Sequence, residues 1–201
     1  MRLFSYIITH DTGFAPNPFW GYCTLACCKP SIRRTAQKGD WIVGLSSKRN
    51  KNRLIYAMQV SEKMTLRNYW GDKRFANKKA DYNRPEVIHR CGDNIYEPGR
   101  RGFKQHHSMH SKGKCVNSSN KKRDLSGKYA LISRRFVYLG SEAIPLPRGL
   151  RCIVATRGHR SRFPECVVSR LERFVLGRPS GIQGPPTSWP PGDDSWRETN
   201  G

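Results

Sequence analysis

Apolar residues in this 201-residue chain come in short β-type runs, each cut off by turn residues, and that pattern constrains the fold more than any other feature. The runs fall at residues 3–9, 41–45, 54–60, 129–133, 136–139 and 152–155. Gly39-Asp40 is a turn signal ahead of the second run, and a basic polar turn over 46–52 joins the second to the third as a hairpin with a positive tip. Helical spacing occurs twice. Leu66, Tyr69, Trp70 and Phe75 place a helix over 65–79. Val167, Val168, Leu171, Phe174 and Val175 place another after Pro164, which suits a first helical turn. The expectation is an α+β domain: a small, strongly bent mixed sheet or partial barrel, about two flanking helices and long basic loops. It spans 1–177. Residues 178–201, rich in Gly, Pro, Ser and Trp without periodicity, read as an extended or disordered tail.

Charge narrows the partners. With 37 Lys+Arg against 15 Asp+Glu the net charge is +22, a self-repelling balance that calls for a polyanion. Hydrophobic residues at 36% are too many for a wholly disordered basic protein. No apolar run nears the roughly 18 residues of a membrane span, and residues 1–6 lack a signal-peptide pattern. Seven cysteines are an odd number without the density of a secreted disulfide framework, so they read as reduced thiols in a cytoplasmic protein, with a monomer favoured. Basic residues dominate 29–84 and 99–135, where Asp124 is the one acid of the second stretch. A solvated face usually mixes signs, so these stretches point to phosphate. The expected contacts are Arg33, Arg34, Lys48, Arg49, Lys51, Arg100, Arg101, Lys104, His107 and His110, with Arg157, His159 and Arg160 as a second clamp.

The chemistry concentrates just past the first strand. His10 and Asp11 stop the apolar run, and the loop that follows holds Asn17 between two prolines, then Phe19 and Trp20. A proton-transfer pair, a stiffened amide and two rings describe a pocket for a flat, hydrogen-bonding ring, in so basic a chain a nucleobase; the alternative is that Phe19 and Trp20 are core residues, since a buried ring is commoner than a stacking platform. Asn94 and Tyr96 join this pocket.

Five segments carry a family resemblance: T-H-D-T-G-F-A-P-N-P-F-W-G-Y-C-T-L-A-C-C-K-P from Thr9, G-D-W-I-V-G from Gly39, R-C-G-D-N-I-Y-E-P from Arg90, D-L-S-G-K-Y-A-L-I-S from Asp124 and R-G-H-R from Arg157. Together they resemble the nucleotide-modification-associated domain proteins of the second type. The likeness implies a setting of hypermodified DNA and conflict with bacteriophages, in which some proteins look like glycosylases that remove bulky modified bases. The G-D-W-I-V-G turn with the strand after it also resembles barrels of the pseudouridine-synthase-associated (PUA-like) fold.

Excision of a base needs a flipped nucleotide and a carboxylate that stabilises a cationic sugar. Asp11, beside His10, is the first candidate, Asp93 the second and Asp124 the third. Each equally fits a turn or helix cap. His106, His107 and His110 form H-H-x-x-H without the Glu of the zinc-protease motif. Cys23, Cys27 and Cys28 lack a second spaced pair. No metal and no cofactor is therefore expected. The leading expectation is a DNA glycosylase that acts on double-stranded DNA carrying modified bases and leaves an abasic site. The alternatives are a non-catalytic reader of such bases and an enzyme of modified-nucleotide synthesis.

Overall fold

The computed structural model describes residues 1–199. In chain order its strands are β1 (Leu3–Ile8), β2 (Cys23–Leu25), β3 (Trp41–Ser46), β4 (Leu54–Gln59), β5 (Glu62–Thr65), β6 (Tyr96–Gly99), β7 (Gly102–Gln105), β8 (Tyr129–Ser133), β9 (Arg135–Tyr138), β10 (His159–Arg160) and β11 (Gly181–Ile182). The α-helices are α1 (Pro30–Thr35), α2 (Leu66–Gly71), α3 (Val87–Arg90), α4 (Ser118–Leu125) and α5 (Glu165–Leu176).

Six strands make a mixed sheet in the order β10-β1-β3-β4-β9-β11. β1 and β3 are parallel, joined by a crossover that carries β2 and α1, and β3 and β4 form the hairpin its turn residues imply. A second sheet has the order β2-β8-β5, and β6 pairs with β7. The mixed α+β class holds. Among the described residues the sheets stay open, so no barrel closes.

The large sheet is covered on both faces, which explains runs that are apolar without alternation. Leu3, Trp41, Val43, Leu45 and Ala57 face one core, which α5 fills with Val167, Val168, Leu171 and Val175. Phe4, Tyr6, Ile42, Met58 and Phe136 face the other, with Phe19, Leu25 and Ile32. Phe14, Cys27, Tyr69, Phe75, Tyr96 and Ile132 build a third cluster around the small sheet. No helix among the described residues is long and apolar enough to cross a membrane.

Three local expectations differ. The helix expected over 65–79 divides. Thr65 caps α2, accepting from the Asn68 N–H at 3.2 Å, and Asp72 then caps a separate 3-10 turn, Lys73–Lys78, by accepting from the Arg74 N–H at 2.9 Å. A second capping side chain competes with helix continuation. The strand expected over 152–155 begins instead inside a 3-10 helix, Arg148–Ile153, that opens at Pro147, and β10 takes the sheet edge.

The third difference is residues 178–199. β11 extends the large sheet alongside β9, and Trp189 and Trp196 are buried in the second core. The Trp189 indole N–H donates to the Thr12 carbonyl at 2.9 Å, and the Ser188 N–H to the Asp11 carbonyl at 2.9 Å. The segment straps the loop that follows β1. Gly140, at φ +53°, makes this docking possible, because a Cβ there would meet the Pro185 carbonyl.

Candidate active site

β2 ends at Leu25, and the chain turns sharply before Pro30 starts α1. Cys28 (φ 57°) and Lys29 (φ 37°) both hold left-handed backbone that L-residues disfavour. Such conformations persist only where surrounding contacts fix them, and they cluster at functional sites. Arg33 supplies the contacts. From α1 its buried guanidinium donates to the carbonyls of Cys28 (2.8 Å), Ala26 (2.5 Å), Tyr129 (2.9 Å) and Asp124. Gly127 leaves room for it, since a Cβ there would strike the guanidinium.

Asp124, near the end of α4, faces the same turn. Its Oδ1 accepts from the Cys28 N–H at 2.8 Å, and its Oδ2 from the Tyr96 hydroxyl at 2.8 Å and from His110 Nδ1–H at 2.5 Å. The bond to Nδ1 leaves His110 Nε2 facing Cys28 Sγ at 3.5 Å. Two amides, Gln105 Nε2 and Asn120 Nδ2, fix the His110 carbonyl at 3.1 Å each, and the Phe14 ring lies 4.7 Å from the imidazole. A thiol, an imidazole and a carboxylate thus stand in a line, the arrangement that activates nucleophiles on unrelated folds.

The electrostatics agree with the geometry. Burial lowers the His110 pKa, but its bonds to Asp124 and Cys28 outweigh that and lift it to about 9. Burial raises the Asp124 pKa, yet His110, the Cys28 N–H and the Tyr96 hydroxyl hold it below the usual carboxylate range. The pair is charged at neutral pH. Cys28, half-buried, and His110 border a cleft of about 630 Å³ that is also lined by Thr9, His10, Phe14, Lys29, Arg123 and His159.

The expected site residues scatter. His10 reaches this cleft, and Asp124 lies behind it. Asp11 faces a separate hollow of about 190 Å³, beside Asn50 and Arg53. Its oxygens accept from the Tyr138 hydroxyl at 2.5 Å and the Thr187 N–H at 3.2 Å, and burial pushes its carboxyl above the usual range. Asp93 is wholly buried and accepts from Thr24, Ala26 and Tyr69 at 2.8, 3.2 and 2.6 Å; burial raises it too, against the pull of Lys78. Asn17 is a core residue. It donates to the Cys91 carbonyl at 2.8 Å and accepts at 2.6 Å from the buried Lys78 ammonium, whose pKa burial lowers to about 8. Phe19 is fully buried, Trp20 packs against Phe19 and His89, and Asn94 bonds the Tyr69 and Phe75 carbonyls. Tyr96 serves Asp124. The aromatic loop is therefore mostly core, because Asn17 pairs with Thr24 and turns its neighbours inward.

The expected phosphate contacts divide as well. Lys48, Arg49 and Lys51 stand exposed at the tip between β3 and β4, and Arg100 and Arg101 at the tip between β6 and β7. Lys104 and Arg157 are exposed, Arg34 bonds the Ser126 carbonyl, and Arg160 bonds the Cys152 carbonyl. Arg33 is not a phosphate contact, because its donors are taken by buried carbonyls. His107 stacks on Tyr82 at 3.8 Å, and His110 belongs to the triad. The H-H-x-x-H run therefore splits three ways, with His106 bonded to Glu97 at 2.7 Å.

Cys27, His110 and Asp124 place possible ligand atoms within 4.8 Å of one another. The Cys27 thiol, however, donates to the Asp93 carbonyl at 3.4 Å, and burial pushes its pKa well up. A metal needs the thiolate, so this trio reads as packing. Sequence reasoning passed over Cys28 as one more reduced thiol. The available signal was local: a cysteine between a strand end and a Pro-started helix.

No curated protein and no solved structure matches this chain. A family model does match, over residues 1–192 and so across both the triad and the strapping segment, and the chain belongs to the nucleotide modification associated domain 2 family.

Proposed function

We propose that this protein is a cysteine-dependent enzyme that acts on an acylated or amide-bearing modified base, as a nucleotide or within a DNA strand. One observation carries the reading: Cys28 Sγ, His110 and Asp124 stand in line at the edge of a cleft. The thiolate of Cys28 attacks the carbonyl carbon of the substituent, and an S–C bond forms as the C–N or C–O bond breaks. His110 Nε2–H gives its proton to the departing amine or alcohol. The now neutral imidazole takes a proton from water, and the hydroxide opens the thioester. The carboxylic acid leaves, while thiolate and imidazolium are restored. Asp124 stays ionised and fixes the tautomer throughout. The test follows nucleosides from hypermodified phage DNA by mass spectrometry, together with intact protein mass. Wild type should remove a substituent and show an acyl adduct at Cys28, and Cys28→Ala should do neither. Adducts shared evenly with the exposed Cys115, Cys152 and Cys166 would defeat the proposal.

A second reading keeps base excision, with the Asp11-lined hollow as its support. A carboxyl whose pKa burial raises suits a general acid that protonates a departing base. Abasic sites formed by wild type and Cys28→Ala, but not by Asp11→Asn, would establish it. In both readings the exposed tips at Lys48–Lys51 and Arg100–Arg101 hold the duplex by its phosphates, as would a non-catalytic reader of modified bases.

A further inference from the structure

The cleft beside Cys28 is lined by basic side chains and by no Asp or Glu. Lys29 is half-buried, with its ammonium 4.5 Å above the Tyr6 ring and 3.4 Å from the Ile7 carbonyl. Among the described residues the Arg123 guanidinium bonds only the neutral Asn120 side chain, at 2.7 Å. Among the described residues neither they nor His159 forms an ion pair. Cys28, Lys29, Arg123 and His159 line the same cleft. Burial lowers the Lys29 pKa, opposed by Cys28 and aided by Arg123, and burial and then Lys29 lower that of His159. Lys29 and Arg123 at one cleft, with no carboxylate ion-paired to either among the described residues, raise the local concentration of an anion that fits.

We infer that Lys29, Arg123 and His159 are the seat of a substrate phosphate, which sets the reacting group of a nucleotide or a nucleic-acid strand against Cys28. The inference rests on the reading of Cys28 as the nucleophile for its purpose, but the seat itself binds without the thiol. A planar guanidinium and an ammonium lining one cleft supply the donor types that suit the oxygens of a phosphate mono- or diester. The seat is distinct from the exposed tips, which meet phosphates along the duplex. Its role is to position one phosphate so that one nucleotide reaches the triad.

The experiment uses the full chain with Cys28→Ala, so that binding is read apart from reaction. Thymidine, thymidine 5′-monophosphate and a short oligothymidylate compete against a fluorescent thymidine monophosphate. The monophosphate or the oligonucleotide should displace it, and thymidine should not. The monophosphate competing alone would assign a free nucleotide, and the oligonucleotide competing better would assign a strand. Lys29→Gln and Arg123→Gln should each weaken binding on the order of tenfold, while Lys29→Arg retains it and the control Arg173→Gln, exposed on α5, changes nothing. Melting temperatures identify any variant that fails to fold, and Lys29→Arg then decides. Equal competition by thymidine, or unchanged binding in both Gln variants, would overturn the seat. Loss of acyl transfer with the seat intact would overturn only the proposed reaction.

Discussion

His110 Nδ1 lies 2.5 Å from Asp124 Oδ2, on the opposite edge of the ring from Cys28 Sγ. The contact holds a cation at neutral pH in a place where burial alone would leave a neutral ring. It also links stability to pH. The His110 pKa is raised by folding, so its contribution is complete below the ordinary imidazole value and is lost as pH rises through about 9. The Asp124 pKa is lowered, so its contribution is complete above the ordinary carboxyl range and is lost as pH falls through its folded value. Melting temperature should therefore drop at the alkaline end in wild type and drop less in His110→Gln. Parallel alkaline limbs in the two proteins would show that the pair does not titrate as described.

Asp124→Asn keeps the shape of the side chain and removes its charge. Breaking a buried ion pair costs about 3–5 kcal/mol, which urea unfolding should register. Alkylation of Cys28 by iodoacetamide near neutral pH should slow as well, because the imidazole loses its orienting partner. The exposed Cys115 provides the internal standard, and an unchanged ratio of the two rates refutes the coupling.

Arg33→Met separates architecture from DNA binding. The guanidinium ties two carbonyls of the turn around Cys28 to those of Tyr129 and Asp124, so its loss should lower stability by roughly 3 kcal/mol or more and disorder the triad. Duplex affinity, compared below the melting point, should not change. A clear loss of affinity with unchanged stability would return Arg33 to the phosphate contacts.

Replacing Lys48, Arg49 and Lys51 together should weaken duplex binding and flatten its salt dependence by about 0.9 in the log–log slope for each phosphate released. Filter binding across a salt series measures both. An unaltered slope means that the tip between β3 and β4 stays clear of DNA.

Trp189→Ala removes a buried ring and the donor to the Thr12 carbonyl, at a cost of about 3–5 kcal/mol. A denaturation midpoint equal to that of wild type would mean that residues 178–199 contribute nothing to the fold.

β1, β3, β4 and α5 were legible because local pattern decides them. Their apolar residues have partners on both sheet faces or along one helical stripe. α4 was not legible, since Ser118–Leu125 has no apolar stripe and is anchored by Asn117 at its start and by the bonds of Asp124. The strap was hidden for a related reason: Gly- and Pro-rich composition looks like a linker, yet Trp189 and Trp196 found room in a core built by distant strands. The candidate site was half visible. His110 and Asp124 had each been singled out, for other roles. Cys28 lies 82 residues from His110 and 96 from Asp124, separations at which no periodicity or spacing rule operates.

The strap also orders events during synthesis. Thr12 and Asp11 belong to the loop that walls the cleft, and their carbonyls wait for Trp189 and Ser188. A ribosome exposes that loop long before its fasteners. Until residues 188 and 189 emerge, the nascent chain carries that loop with its fastening carbonyls unpaired.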